Sequence, residues 1–211
     1  MFDSDIYLVT QRGESAGRSS DDIVAAALDA GVDAVQLREK GRSARDRYHL
    51  ARRLRSLTDA HDVPLIVNDR ADLALAVEAD GVHLGDSDLP LPATRDLLGS
   101  DAIVGRSVST VEGAREAAAK GADYLGVGAV YPTTSKDDVD PTQQGIGTDR
   151  VTAIADAVDI PIVAIGGITP DRTPAVVEAG ADAVAVVSAI TAADDPAAAT
   201  RRLQEAVSSV E

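Results

Sequence analysis

AGADAVAVV (residues 179–187) combines a small-residue helix end, an aspartate and an apolar strand, and this pattern decides the fold of the chain because it recurs. The other copies are AGVDAV (30–35), EADGVHL (78–84) and KGADYLGV (120–127). The aspartates of the four segments are 47, 43 and 59 residues apart, about twice the length of one strand–helix unit. One more strand is therefore expected in each interval.

Apolar segments with strand character do occupy these intervals. They are PLIVND (64–69), AIVGRS (102–107) and PIVAIGG (161–167), and a further strand segment, IYLVT (6–10), precedes the first repeat. Amphipathic patterns separate the strands, as in residues 43–60, where Leu50, Leu54 and Leu57 have helical spacing. Eight strands alternating with helices predict an α/β fold, a single-domain (β/α)8 TIM barrel over residues 1–211, with a doubly wound sheet as the alternative. The even repeat of strand pairs favours the closed barrel.

The charge balance is strongly acidic, with a net charge of -15 and only 3 lysines beside 17 arginines and 27 aspartates. This excess argues against nucleic acid or an anionic membrane as the main partner. Such an excess is typical of the surface of a halophile protein, because salt screens the repulsion between its acidic groups. An acidic mesophile protein is the alternative. Without cysteines, a signal peptide or a membrane-spanning apolar run, the chain is expected to be cytoplasmic. A homo-oligomer is left open.

Polar residues stand at the ends of seven of the predicted strands, and barrels carry their sites at the C-terminal strand ends. Gln36, Arg38 and Lys40 share one side of VQLREK (35–40), because side chains of a strand alternate between its faces. An arginine and a lysine at one strand end indicate an anion site. The alternative is a barrel interior in which ion pairs satisfy these charges.

Acidic residues follow the next two strands. Asn68 and Asp69 end strand 3, and Asp88 follows strand 4, with Asp86 as a spare candidate. Two carboxylates from neighbouring strand ends suit Mg²⁺, which takes its remaining ligands from water and substrate phosphates. Helix capping is an alternative of nearly equal weight, since Asp69 and Asp88 each precede a predicted helix.

A long polar loop, YPTTSKDDVDPTQQGIG (131–147), follows strand 6. Loops of this length in a compact domain are usually functional or mobile, although an exposed surface loop is the alternative. Hydroxyl groups and an ammonium are available to phosphate oxygens there, from Thr133, Thr134, Ser135 and Lys136.

The ends of strands 7 and 8 are IGGI (165–168) and VSAI (187–190). Many barrels bind a phosphate monoester at these two ends on backbone N–H groups, and Gly166 and Gly167 would allow close approach. His83 should point into the barrel from strand 4, and as a lone histidine we interpret it as structural. No nucleophile is paired with a base in the sequence.

These motifs, taken in order, resemble the thiamine-phosphate synthase family. The similarity covers nearly the whole chain, through YLVT, VQLREK, IVNDRADLALAVEADGVHLGDSD, GADYLGVGAVYPTTSK, VAIGGI and AGADAVAVVSAI. The resemblance implies a (β/α)8 barrel that joins hydroxymethylpyrimidine diphosphate to a thiazole phosphate, with Mg²⁺ as cofactor. It further implies that diphosphate leaves first and that the thiazole nitrogen captures a pyrimidine carbocation.

The resemblance also implies residue roles. The pyrimidine diphosphate would be held by Gln36, Arg38, Lys40, Asn68, Ser107 and Lys136, of which Arg38, Lys40, Ser107 and Lys136 would be catalytic. Mg²⁺ would be bound by Asp69 and Asp88. The thiazole phosphate would be held by Thr133, Ser135, Gly167, Val187 and Ser188.

Some positions depart from the family pattern. Ser135 stands where a threonine is frequent, Gln11 stands where an acid is common, and extra aspartates follow Lys136. Two rival functions are a thiazole tautomerase and a non-catalytic ligand-binding paralogue. Ala129, where the tautomerase has a histidine, argues against that rival together with Asp69 and Asp88. The same two acids, with Lys40 and Lys136, argue against the non-catalytic paralogue.

Overall fold

A computed structural model of the protein describes residues 6–133, 135 and 145–210. Its strands are β1 (Ile6–Val9), β2 (Ala34–Leu37), β3 (Leu65–Asn68), β4 (Gly81–Leu84), β5 (Ile103–Val108), β6 (Tyr124–Gly128), β7 (Ile162–Ile165) and β8 (Ala183–Val186). Each strand pairs in parallel with the next, and β8 pairs with β1, so that these strands form a closed barrel. The barrel prediction is confirmed, and the doubly wound sheet is wrong because the last strand closes on the first.

Helices alternate with the strands. They are α1 (Ser20–Asp29), α2 (Ala44–Asp59), α3 (Ala71–Ala76), α4 (Leu91–Leu98), α5 (Val111–Ala119), α6 (Thr148–Ala155), α7 (Thr173–Glu178), α8 (Ser188–Thr191) and α9 (Pro196–Ser208). Short hydroxyl side chains cap several of them, as where Ser19 and Ser43 each accept a backbone N–H three residues on at 3.1 Å. In the described part of the chain, no helix combines the length and apolarity needed to cross a membrane.

The repeated aspartates tie neighbouring strands together at the N-terminal face of the barrel. Each accepts a hydrogen bond from a backbone N–H at the start of the preceding strand, at 2.7–3.0 Å; the pairs are Asp33 with Ile6, Asp80 with Leu65, Asp123 with Val104 and Asp182 with Ile162. The backbone N–H of each aspartate in turn donates to the carbonyl of that same residue. The sequence repeats every two strand–helix units because these contacts join the strands in pairs.

Inward positions along the strands change from apolar to polar towards the C-terminal face. A small apolar cluster fills the lower barrel and includes Tyr7, Ala34 and Ile66, while a larger one lies between the strands and the helices. Two residues beyond Ala34 the inward side chain is Gln36, and two residues beyond Ile66 it is Asn68. The alternation of side chains in a strand therefore places polar groups above an apolar floor.

Candidate active site

A cavity of about 710 Å³ opens at the C-terminal face, a size suited to a small molecule. The predicted site residues that line it are Arg38, Lys40, Asn68, Asp69, Asp88, Ser107, Thr133, Ser135, Gly167, Val187 and Ser188. Gln36 lies deeper in the barrel and is buried. Thr134, Lys136 and most of the loop 131–147 lie outside the described residues, so their predicted roles stay predictions.

The end of β2 brings cationic groups to the cavity. Arg38 is buried, and its guanidinium donates to the side chain of Gln11 and, at 3.3 Å, to the carbonyl of Ser135. Lys40 is 40% exposed, and its ammonium lies 3.2 Å from the Asp69 carboxylate. The alternative of internal ion pairs is thus partly correct for Lys40.

Glu39, which the sequence analysis did not single out, is buried on the opposite side of the segment. It accepts hydrogen bonds from the Arg12 backbone N–H at 3.1 Å and from the Ser20 hydroxyl at 2.5 Å. These contacts anchor the β2 end to α1. They fix the direction in which Arg38 and Lys40, its neighbours in sequence, leave the strand.

Two carboxylates lie side by side at the ends of β3 and β4. Burial raises the pKa of Asp88, and the nearby Asp69 carboxylate raises it further, while a hydrogen bond from the Gly85 N–H and the charge of Lys40 partly offset this. Asp69 has a left-handed backbone with φ of 65°, which is uncommon for a side-chain-bearing residue and typical of a functional position. Two like charges held together favour a cation between them.

Helix capping does not explain these acids. The N-caps of α3 and α4 are Arg70 and Pro90, and neither helix start is capped by a side-chain hydrogen bond. Asp88 instead accepts the Gly85 N–H at 2.6 Å and closes the turn that follows β4. The capping alternative is therefore wrong for both acids.

Asp86, the spare metal candidate, is engaged elsewhere. Its carboxylate is 82% exposed and lies 2.7 Å from the guanidinium of Arg106. Arg106 also donates to the Gly85 carbonyl, so it holds the β4 turn, and both Arg106 and Asp86 line the cavity. Arg106 was not predicted as a site residue, because its role depends on a contact with a neighbouring strand end 21 residues earlier.

Asn68 carries an unsatisfied donor at the cavity wall. The residue is 8% exposed, and its Nδ2 has no hydrogen-bond partner among the described residues. A buried amide donor without a partner is costly, so its presence in a cavity points to a ligand acceptor. This observation fits the predicted contact between Asn68 and a diphosphate oxygen.

The other side of the cavity is formed by the ends of β6, β7 and β8. Gly167 has φ of 62°, and a Cβ there would lie 2.9 Å from the Pro132 carbonyl. Arg172 donates to the Gly167 carbonyl at 2.6 Å and packs over the Tyr131 ring at 4.6 Å. The glycine turn and the first residues of the long loop thus lie against each other, and Arg172 contacts both.

Polar residues of the barrel interior join two predicted site residues. Gln36 donates to the Tyr7 hydroxyl, and His83 lies 2.9 Å from the Ser107 hydroxyl. The expectation that His83 points inward is confirmed, but Tyr7 and Tyr124 were not anticipated. A tyrosine at an inward position of an apolar strand is predicted from sequence to be a core residue. Its hydroxyl reaches these partners only when the barrel closes.

The fold and site define a class: a (β/α)8 barrel with a charged cavity for a small molecule at its C-terminal face. Comparisons with known proteins identify the family within this class. The chain matches the family model described as thiamine monophosphate synthase over residues 6–190. It is 64% identical to a thiamine-phosphate synthase from Haloarcula marismortui, with 98% of both chains covered. A thiamine-phosphate synthase from Natronomonas pharaonis is 62% identical, with 99% of this chain and 97% of that protein covered.

A solved structure is also similar. Thiamine phosphate pyrophosphorylase from Pyrococcus furiosus superposes with a TM-score of 0.89 at 38% identity, covering 99% of this chain and 97% of the other. The chain therefore belongs to the thiamine monophosphate synthase family.

Proposed function

We propose that this protein catalyses the reaction of a thiamine-phosphate synthase, joining hydroxymethylpyrimidine diphosphate to a thiazole phosphate. The observation that carries the proposal is the cluster of Lys40, Asp69 and Asp88 beside the buried Arg38 at one cavity wall. Cations and an acid pair at one site suit a diphosphate bound with a divalent metal ion. The relatives named for this activity cover nearly the full chain.

The chemistry needs no protein nucleophile. The bond between the pyrimidine methylene carbon and the diphosphate oxygen breaks, and its electron pair leaves with the diphosphate. The lone pair of the thiazole nitrogen then forms a carbon–nitrogen bond to the methylene carbon. Negative charge grows on the diphosphate during the first step, so preorganised donors aimed at it lower the barrier.

Arg38, Lys40 and Asn68 supply such donors. The Arg38 guanidinium can bind two phosphate oxygens at once, and burial keeps its position fixed. The Nδ2 of Asn68, which has no partner in the described part of the chain, would donate to a third oxygen. Lys136 would add an ammonium from the long loop, and a loop cation can act chiefly on the departing charge.

The acid pair fits Mg²⁺. Asp69 and Asp88 would be its protein ligands, because their mutual repulsion and the raised pKa of Asp88 are relieved by a bound cation. A bound Mg²⁺ supplies charge neutralisation to the leaving diphosphate. In the present geometry the Lys40 ammonium partly neutralises the acid pair, because it forms an ion pair with Asp69.

The thiazole phosphate would bind across the cavity from the diphosphate. Its phosphate would meet the backbone at Gly167, Val187 and Ser188, with hydroxyls from Thr133, Thr134 and Ser135 around it. The Ser135 backbone N–H lies 3.2 Å from the Thr133 hydroxyl oxygen, which orders the start of the loop. This placement would bring the thiazole nitrogen close to the methylene carbon once the diphosphate has left.

Incubation of the purified protein with both substrates and Mg²⁺, followed by chromatography for thiamine phosphate, tests the proposal. Thiamine phosphate and diphosphate should form in equal amounts, and neither should form when one substrate is omitted. The proposed reaction would be excluded if the protein only rearranged the thiazole, or only bound the substrates, without forming thiamine phosphate.

A further inference from the structure

A chain of hydrogen bonds crosses the barrel interior between two predicted substrate contacts. Gln36 Nε2 donates to the Tyr7 hydroxyl at 3.0 Å, and the Tyr7 hydroxyl lies 3.1 Å from that of Tyr124. The Tyr124 hydroxyl lies 2.9 Å from His83 Nδ1, and His83 Nε2 lies 2.9 Å from the Ser107 hydroxyl. Residues from β1, β2, β4, β5 and β6 thereby form one connected network.

Glycines at inward strand positions leave the space that this network occupies. A Cβ on Gly105 would lie 2.1 Å from the Tyr124 ring, and a Cβ on Gly126 would lie 2.7 Å from the His83 ring. Both glycines occupy inward positions on strands, where a larger apolar residue would otherwise fill the barrel. The interior is therefore built around Tyr124 and His83.

Both tyrosines remain protonated at neutral pH. Burial raises the pKa of Tyr7 and of Tyr124 well above the ordinary value of tyrosine. Their rings meet edge to face, with centroids 6.2 Å apart, so each hydroxyl is held in one place. Each hydroxyl therefore has one hydrogen to donate. A hydroxyl that accepts a hydrogen bond from one neighbour donates its own hydrogen to the next, so all the hydrogen bonds of the network run in the same direction.

We propose that Tyr7, Tyr124 and His83 are positioning residues that fix the donor and acceptor pattern of Gln36 and Ser107 towards the pyrimidine substrate. Tyr7 accepts from Gln36 and donates to Tyr124, and Tyr124 donates to His83 Nδ1. The neutral imidazole then carries its proton on Nε2 and donates it to the Ser107 hydroxyl oxygen. This inference rests on the proposed function for the identity of the substrate.

The direction of the chain decides what the two end residues can offer a ligand. With one of its two amide N–H groups engaged by Tyr7, Gln36 keeps its Oε1 as an acceptor and one further N–H as a donor. Ser107, which lines the cavity, accepts from His83 and keeps its hydroxyl hydrogen to donate. A ring edge that presents an amino donor and a ring-nitrogen acceptor complements this pair, and an aminopyrimidine has such an edge. The reversed chain would offer the opposite pattern.

The tautomer of His83 in the wild-type protein tests the direction without any assay of activity. The chain has 3 histidines, and His49→Gln and His61→Gln variants assign the other two ring signals in a long-range ¹H–¹⁵N correlation spectrum. We expect Nε2 of His83 to be the protonated nitrogen and Nδ1 to be bare. A proton on Nδ1 would show that the chain runs the other way and would overturn the proposal.

Tyr124→Phe removes the hydroxyl that holds His83 Nδ1 and keeps the ring. In this variant the single tautomer should give way to a mixture. The KM for the pyrimidine diphosphate should rise about tenfold, as expected for one lost buried hydrogen bond, while the KM for the thiazole phosphate stays within about twofold of wild type. A general packing defect would instead change both KM values together.

Tyr48→Phe is the matched control, because Tyr48 packs on α2 outside the barrel interior and meets His49 with centroids 5.5 Å apart. It should change neither the His83 tautomer nor either KM. An unchanged tautomer and unchanged pyrimidine KM in Tyr124→Phe would overturn the positioning role. Should the protein make no thiamine phosphate at all, the proposed function fails, whereas the wild-type tautomer still decides the direction of the network.

Discussion

At Asp69 and Asp88 the requirements of function and stability oppose each other, because the two carboxylates that would bind a metal ion repel each other in the folded protein. The folded protein holds the pKa of Asp88 above its ordinary value through burial and the neighbouring charge. A raised carboxyl pKa means that the folded state binds this proton more tightly than the unfolded chain. The resulting stabilisation is complete below the unfolded-state pKa and is lost as the pH rises through the folded-state pKa.

At neutral pH and without divalent metal, Asp88→Asn should therefore melt at a higher temperature than wild type. The amide keeps an acceptor for the Gly85 N–H and removes the repulsion with Asp69. Because the site is partly open to solvent, we expect a rise of only about 2 °C, measured by circular dichroism in constant KCl. Added Mg²⁺ should raise the melting temperature of wild type but not that of the variant.

Asp86→Asn is the control for this comparison, since Asp86 is exposed and pairs with Arg106. It should keep the wild-type response to Mg²⁺. A melting temperature for Asp88→Asn below that of wild type at neutral pH would mean that the folded state already compensates the Asp88 charge.

At the scale of strands and helices, the repeated aspartates are structural devices remote from the cavity. Asp123 accepts hydrogen bonds from the Val104 N–H and from Arg95, each at 2.7 Å. Asp123→Ala should lower the free energy of unfolding by about 2 kcal/mol, because a charge-assisted pair is lost and a backbone donor is left without its acceptor. Urea unfolding measures this loss, and kcat of the folded variant should be unchanged.

Asp101→Ala is suitable as a comparison because Asp101 is exposed in the loop before β5. We expect its effect to stay within about 0.5 kcal/mol. Equal losses for the two variants would remove the special role assigned to the repeated aspartates.

The glycine turn after β7 and the base of the long loop form a second element that can be tested. Gly167→Ala would place a Cβ 2.9 Å from the Pro132 carbonyl and the Tyr131 side chain, so the loop base has to shift. The KM for the thiazole phosphate should rise at least about tenfold, as for the loss of one buried hydrogen bond. Steady-state kinetics with this substrate varied measure the effect.

Gly121→Ala separates collision from backbone strain. Gly121 has φ of 86°, and nothing lies within 4 Å of the Cβ that would be added. Both variants carry a conformational cost of about 1 kcal/mol, but only Gly167→Ala should change the KM. A similar change of KM in both would assign the effect to general destabilisation.

The elements were more predictable from sequence than the side-chain network. The strand segments, the four aspartate repeats and the polar strand ends predicted the barrel and its site face, because side-chain alternation is a local property. Tyr7, His83 and Tyr124 are separated by as many as 117 residues, and their contacts exist only after the barrel closes. The pairing of Asp86 with Arg106 likewise joins the ends of two neighbouring strands, and the spacing of residues in the sequence does not encode such a contact.

For the molecule as a whole, we expect net charge to have a large effect on stability. A chain of 211 residues with a net charge of -15 repels itself in the compact state, and salt screens that repulsion. We propose that the surface is adapted to high ionic strength. The melting temperature should rise steadily from low to molar KCl, whereas sucrose at matched osmolality should give a smaller rise. A midpoint that is flat or falls with KCl would remove this reading.

The central claim is that the cations of β2 and the acid pair of β3 and β4 together support departure of diphosphate. The most direct measurement is the rate of thiamine phosphate formation at saturating substrates across a Mg²⁺ titration, for wild type, Asp88→Asn and Asp86→Asn. We expect a rate that depends on Mg²⁺ in wild type and Asp86→Asn, and that falls on the order of a hundredfold in Asp88→Asn. A wild-type rate that is indifferent to chelation of Mg²⁺, or that Asp88→Asn retains, would contradict it.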